Sequence, residues 1–270
     1  MTDNAITRRE LDLRRILRAI GPAAVALSGG VDSMTLAHLS HQELGADVTM
    51  FHAASAAVPV AATQRVQEHA ERHGWRLELI DAGEFADDRY LANPVNRCFF
   101  CKTDLYGTLA AATDAQLLSG TNLDDLGDWR PGLKAAETHH VRHPFVEAEI
   151  AKSDVRAIAA RHGLDDLAEL PAAPCLSSRV ETGLTIVPRT LRGIDEVESL
   201  VQRELSPEAV RCRVRDSGIV IELDPVTLQR ISQDSRDSLT ARIRQVFDGS
   251  GAVEFAEYVR GSAFLRGSQA

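Results

Sequence analysis

The run Ala23-Ala24-Val25-Ala26-Leu27, continued by Ser28-Gly29-Gly30-Val31-Asp32-Ser33 and then Met34-Thr35-Leu36-Ala37-His38-Leu39, decides the fold. A short apolar stretch without helical period, stopped by two consecutive glycines, predicts a buried strand and a tight turn. Met34, Leu36, Ala37 and Leu39 then supply the apolar positions of a helix from Asp32 to Leu44. Strand, glycine turn and helix in this order make an anion cradle: backbone N–H groups converge, and the helix N-terminus adds roughly half a positive charge. No lysine follows as in a mononucleotide P-loop, and the glycine spacing is not a dinucleotide fingerprint. A pyrophosphate group suits the cradle.

Outward from this turn the pattern repeats. Asp47 to Phe51 reads as a second strand, Val60 to His73 as a helix closed by Gly74, and Arg76 to Ile80 as a third strand. A helix near Lys102 to Ala112, a strand at Gln116 to Ser119 and a helix from Ser153 to Arg161, capped by Ser153 and stopped by Gly163, follow. Alternating strands and helices predict an α/β class with a parallel sheet covered on both faces. After about Arg179 the rhythm changes: Val210 to Arg215 and Ile219 to Leu223 flank Asp216-Ser217-Gly218, a three-residue hairpin candidate, and a last strand is expected near Val253 to Val259. The expected division is residues 1–180 as the α/β domain and 181–270 as a smaller α+β domain for substrate binding or oligomerisation. Every lysine or arginine after position 180 is arginine, a residue suited to bidentate grip on phosphate or carboxylate.

Composition narrows the class. The chain has 270 residues, 30 lysines and arginines against 39 aspartates and glutamates, a net charge of −9 and 44% hydrophobic residues, which is ordinary globular composition. Collagenous, disordered and disulfide-stapled proteins are excluded. The N-terminal residues hold no apolar signal region, and Ala23 to Leu27 is far shorter than the ~20 residues of a membrane span, so a cytoplasmic protein without membrane contact is expected. The negative charge speaks against a nucleic-acid partner.

Four cysteines are too few for a secreted disulfide framework and point to metal or reactive chemistry. Cys98 and Cys101 form a C-x-x-C in Asn96-Arg97-Cys98-Phe99-Phe100-Cys101-Lys102, and Cys175 lies in Pro174-Cys175-Leu176-Ser177-Ser178-Arg179. Structural zinc would need a fourth ligand, which His139, His140 or His143 could supply. A redox dithiol is a second reading. Three thiolates can also hold a [4Fe–4S] cluster with one iron lacking a protein ligand. Cys212, among arginines in an expected strand, reads as a small buried hydrophobe.

Gly120-Thr121-Asn122-Leu123-Asp124-Asp125-Leu126-Gly127-Asp128-Trp129-Arg130-Pro131-Gly132 follows a strand, where open α/β sheets place ligands. Thr121, Asn122 and Asp125 are nucleotide or Mg²⁺ candidates, and Arg130 is a phosphate candidate.

SGGVDS after the first strand resembles the loop of the PP-loop ATP pyrophosphatases, with Ser28, Gly29, Gly30, Asp32 and Ser33 matching and Val31 between them. That resemblance implies ATP cleavage between the α and β phosphates, Mg²⁺, and adenylation of a substrate oxygen. SGGVDS, NRCFFCK, GTNLDDLGDWRPG and PCLSSR together, over residues 15–225, are similar in order and spacing to the LarE family of PP-loop sulfur transferases. This second resemblance implies thiolation of a pyridinium carboxylate mononucleotide, the precursor of the nickel-pincer nucleotide. It implies Cys175 as the sulfur-bearing position and Asp32 as the other catalytic residue. Cys98, Cys101 and Cys175 would be the ligands of a [4Fe–4S] cluster, and Arg213, Arg215 and Arg179 would be contacts to the substrate phosphate. A homo-oligomer, hexameric by resemblance, is also implied. In one version of the family the cysteine surrenders its own sulfur; in the other a cluster carries added sulfide. A tRNA thiolase, an amide-forming ligase resembling NAD synthetase and a non-catalytic nucleotide- and cluster-binding regulator are the rival readings.

Overall fold

The computed structural model describes residues 3–127, 131–172, 174–249 and 251–263. In chain order its helices and strands are α1 (Asp3–Ile20), β1 (Ala23–Ala26), α2 (Val31–Leu44), β2 (Val48–Ala53), α3 (Val60–His73), β3 (Leu77–Ile80), α4 (Asp88–Leu91), α5 (Arg97–Ala112), β4 (Gln116–Ser119), α6 (Pro131–Thr138), α7 (Pro144–Glu147), α8 (Lys152–Arg161), α9 (Asp165–Ala168), α10 (Pro188–Leu205), β5 (Val210–Arg215), β6 (Gly218–Leu223), α11 (Pro225–Arg230), α12 (Gln233–Val246) and β7 (Ala252–Glu257). The chain divides into two compact units, Met1–Ala86 with Cys98–Ala173, and Asp87–Arg97 with Pro174–Ala270.

The first unit is a Rossmann-like PP-loop fold. Its sheet has the order β3-β2-β1-β4, and every pairing is parallel. Both faces of β1 are buried, which is why its sequence is a continuous apolar run. Ala23 and Val25 belong to a core formed with Leu13, Leu17, Leu36, Leu39, Val155 and Ile158. Ala24 and Ala26 face the other way, toward Phe51, Tyr106, Leu109 and Ala136. Alternate side chains of one strand therefore serve two cores. The chain leaves β1 toward β2 on one side and reaches β4 on the other, so the strand order reverses beside β1. Crevices at the carboxyl ends of strands at such a switch point are where open α/β sheets bind ligands.

Several expectations are refined. α1, which sequence reading did not anticipate, buries Leu13 and Leu17 completely. α3 ends as expected on Gly74, whose φ of 67° is the left-handed value that glycine adopts without strain. α5 begins at Arg97 rather than near Lys102, so both Cys98 and Cys101 are helical. α8 is capped by Ala151, whose N–H donates to Asp154 Oδ2 at 3.0 Å, and not by Ser153.

In the second unit β5 and β6 are antiparallel with Arg215 opposite Gly218, which leaves Asp216-Ser217 as a two-residue turn rather than the expected three. Gly218 is needed there: its φ is 133°, and a Cβ would stand 2.5 Å from the Ala252 carbonyl oxygen. β7 pairs parallel with β6, and α10 packs on β5 and α12. The 87–97 segment is bound into this unit by Asn93, whose side chain donates to the Glu181 carbonyl at 2.8 Å and whose own carbonyl accepts from Gly183 N–H at 3.0 Å. A single cut near residue 180 does not foresee that segment. Among the described residues no helix is long and apolar enough to cross a membrane.

Candidate active site

The β1–α2 turn is built from its own polar atoms. Ser33 Oγ accepts the Ser28 N–H at 3.1 Å, lies 3.0 Å from Ser28 Oγ and donates to the Gly30 carbonyl at 3.2 Å. Gly29 has φ 78°, and a Cβ there would sit 2.9 Å from the Ala62 carbonyl oxygen, so both conformation and space demand glycine. Arg65 of α3 donates to the Gly29 carbonyl at 2.9 Å. His52 ties the end of β1 to α3: its Nδ1 is 2.8 Å from the Leu27 carbonyl and its Nε2 is 2.9 Å from Thr63 Oγ1. The carbonyl can only accept, which places the ring proton on Nδ1. Burial pushes the His52 pKa down and keeps the ring neutral. Beyond the turn, the first N–H groups of α2 lack intrahelical partners, the ordinary condition of an anion-binding helix start.

The loop after β4 meets this turn. A Cβ on Gly120 would lie 2.7 Å from Ser33 N and 2.8 Å from the Asp32 carbonyl carbon, so glycine is what permits the approach. Asn122, buried, donates from Nδ2 to Asp32 Oδ1 at 3.1 Å. Asp125 Oδ2 accepts the Asn122 N–H at 3.1 Å, and Asp124 Oδ2 accepts the Lys152 N–H at 3.0 Å. Thr121 Oγ1 is 3.0 Å from Ser119 Oγ, which is 2.8 Å from Nδ1 of His143, a ring that burial holds below its ordinary pKa. Lys152 Nζ pairs with Asp32 Oδ2. Sequence reasoning missed Lys152. The available signal was local: a cation at the first residue of a helix opposes the helix dipole and so asks for an anionic partner. At the carboxyl end of β2 lies an open cavity of about 480 Å³, lined by Ala54, Ser55, Val58, Val60, Thr63 and Gln64.

The cysteine motifs fall in separate units. Cys98 and Cys101, in the first unit, are half-buried and one turn apart on α5. Cys175, in the second, is exposed at the start of a 3-10 turn, Leu176–Arg179. Cys212 is fully buried, and burial pushes its thiol pKa up. Among the described residues no three His, Cys, Asp or Glu side chains converge as a metal-ligand group.

The arginines assigned to the substrate phosphate are engaged within the second unit. Arg179 is buried; its Nε and Nη2 each donate to Glu198 at 3.0 Å. Burial alone would lower its pKa, and the Glu198 pair holds it raised. Arg213 is buried, donating to Glu222 at 2.9 Å and to the Ser178 carbonyl at 3.0 Å. Arg215 donates to the other Glu222 oxygen at 3.2 Å. Glu198 and Glu222 carry no motif and were not foreseen. Arg130 lies outside the described residues.

Fold and turn geometry define a Rossmann-like PP-loop domain accompanied by a smaller unit with its own sheet. No family model matches the chain. It is 36% identical over 227 residues to an uncharacterised protein of Synechocystis, covering 83% of this chain and 84% of the relative, and it belongs to that protein's family. It is 28% identical over 204 residues to an uncharacterised protein of Methanocaldococcus jannaschii, covering 74% of this chain and 77% of that one. It is also 28% identical over 223 residues to the pyridinium-3,5-bisthiocarboxylic acid mononucleotide synthase of Lactiplantibacillus plantarum, covering 81% and 80%. That last likeness supports the LarE family resemblance.

Proposed function

We propose that the protein is an ATP-dependent sulfur transferase that adenylates the carboxylate of a pyridinium carboxylate mononucleotide and converts it to a thiocarboxylate in nickel-pincer cofactor biosynthesis. The carrying observation is the closure of two loops on Asp32, with Asn122 and Lys152 as its partners, at the switch point of a parallel sheet. The Ser28–Ser33 turn and the α2 N-terminus receive the β and γ phosphates. The cavity beyond β2, mixed apolar and amide-lined, takes the base. The all-oxygen donor set of Asp32 and Asp125 fits a hard cation, so these side chains would hold Mg²⁺, which shields phosphate charge. Lys152, drawn from Asp32 toward phosphate as the cation arrives, stabilises charge on the leaving pyrophosphate. The substrate carboxylate attacks the α phosphorus to give an acyl-adenylate, and sulfur then displaces AMP.

Three thiols fit a [4Fe–4S] cluster by donor chemistry, so Cys98, Cys101 and Cys175 would hold it; when bound it supplies an iron open to inorganic sulfide. A second reading, sacrifice of the Cys175 sulfur, is favoured by the exposure of Cys175.

The test is anaerobic assay of AMP, pyrophosphate and thiocarboxylate with the mononucleotide as substrate. Asp32→Ala is expected to lose AMP formation. Release of AMP without thiocarboxylate when ammonia is supplied would instead support an amide ligase, and ATP binding without pyrophosphate release under any substrate would support a regulator. More than one thiocarboxylate per chain favours cluster-borne sulfur; dehydroalanine at position 175 favours sacrifice.

A further inference from the structure

We propose that Arg179 is the positioning residue of the Cys175 turn and not a receptor for substrate phosphate; this rests on the reading of Cys175 as the sulfur-bearing residue. The guanidinium serves two sides of the turn. One edge forms the bidentate pair with Glu198, at 3.0 Å on each oxygen. From the other, Nη1 donates to the carbonyls of Pro174 at 2.5 Å and Cys175 at 3.1 Å and to Ser178 Oγ at 3.0 Å. With 2% of its side chain exposed, a phosphate would have to displace a carboxylate and three oxygens to reach it.

Glu198 is itself fixed, because its Oε1 also accepts the Cys212 N–H of β5 at 2.9 Å. A continuous chain of bonds thus runs from the sheet through Glu198 and Arg179 to the backbone at residue 175. The following residues have their own anchors: Tyr90 OH lies 2.6 Å from Ser177 Oγ, and Arg213 holds the Ser178 carbonyl. The backbone of Cys175 is therefore immobilised while the residue stays exposed. Only a planar fork spans a carboxylate and two carbonyls at once; a lysine ammonium is a point charge and cannot. Holding the thiol in register matters because displacement of about 1 Å from a reacting centre costs roughly 100-fold in rate.

The experiment uses full-length, anaerobically prepared protein with Arg179→Lys, Arg179→Gln and Glu198→Gln. AMP and thiocarboxylate are quantified in the same reactions, with KM for the mononucleotide. The expected result is a fall of roughly 10- to 100-fold in thiocarboxylate formed per AMP for both Arg179 variants, with KM within about twofold of wild type and faster amide exchange in residues 176–178. Glu198→Gln, which keeps one acceptor, falls between them and wild type and provides the comparison if an Arg179 variant does not fold. Unchanged coupling in Arg179→Lys overturns the proposal. So does a KM raised about tenfold with coupling intact, which is the signature of phosphate binding. Cys175→Ser separates the two failures: if it still makes thiocarboxylate, the reading of Cys175 fails, while amide exchange still reports whether Arg179 fixes the turn.

Discussion

The turn at Ser28–Ser33 and the turn at Pro174–Arg179 are constructed in opposite ways. In the first, the backbone ahead of α2 is the proposed binding device, and the serine side chains bond one another and the backbone of their own turn. In the second, a buried side chain is the device: Arg179 holds the carbonyls of Pro174 and of Cys175, the residue it is proposed to present. The first depends on residues within five positions of each other and on close approach by Gly120. The second depends on Glu198, Arg213 and Glu222, which come from elements far along the chain. The glycine turn is specified largely locally, whereas the turn that carries Cys175 draws on a tertiary network.

The support of the second turn is expected to be the more fragile. Arg213→Ala would leave Glu222 Oε2 without its donor, with Arg215 and Ser262 still on Oε1, and would remove the donor to the Ser178 carbonyl, costing about 1–3 kcal/mol of stability in urea unfolding. A loss below about 1 kcal/mol would show that the network does not hold that turn.

The scaffold behind the first turn has its own weakness, the histidine cluster on α2. His38, buried against Trp75, has its pKa pushed down to about 4, first by burial and then by electrostatic repulsion from His73, His162, His41 and Arg14. The unfolded chain takes up a proton on this ring near its ordinary pKa of about 6.5, and the folded chain does not until about 4. Stability is therefore complete above pH about 6.5 and declines as pH falls through that window, by on the order of 3 kcal/mol for this ring. His73, whose pKa is lowered first by burial, acts in the same direction. Urea midpoints from pH about 7 down to about 4 should fall less steeply in His38→Gln than in wild type; equal slopes would remove His38 from the account.

Gly120→Ala attacks the close approach itself. Its Cβ would meet backbone atoms of Asp32 and Ser33, and AMP formation is expected to fall about 100-fold with thiocarboxylate per AMP unchanged. Loss of coupling there instead would erase the contrast between the turns. The smallest effect is expected at the exposed Arg189–Asp248 pair, where Arg189→Ala should change stability by less than about 1 kcal/mol and leave coupling intact.

The legible parts of the sequence were the local ones. The apolar run of β1, the glycines after it, Gly74 at the end of α3 and the β4 strand each carry their signal within a few residues. Asn122 and Asp125 were legible as candidates because a polar run beyond a strand has few structural duties. The engagement of Arg179 and Arg213 by Glu198 and Glu222 was not legible, since a glutamate on an amphipathic helix or strand looks the same whether it faces water or an arginine. The extension of α5 through both cysteines was hidden for a related reason: Cys and Phe are indifferent helix formers, and tertiary packing decides. The inclusion of 87–97 in the second unit rests on Asn93, a single residue with φ 51° whose bonds cross 88 positions.

The most direct measurement is a single reaction of Cys175→Ala with ATP, Mg²⁺ and the mononucleotide, in which AMP and thiocarboxylate are counted together. On the proposed mechanism adenylation requires the loop, the cation and the carboxylate but not the thiol, so AMP formation close to wild type with no thiocarboxylate is the expected result. Sustained thiocarboxylate formation by that variant would contradict the assignment of sulfur delivery to Cys175.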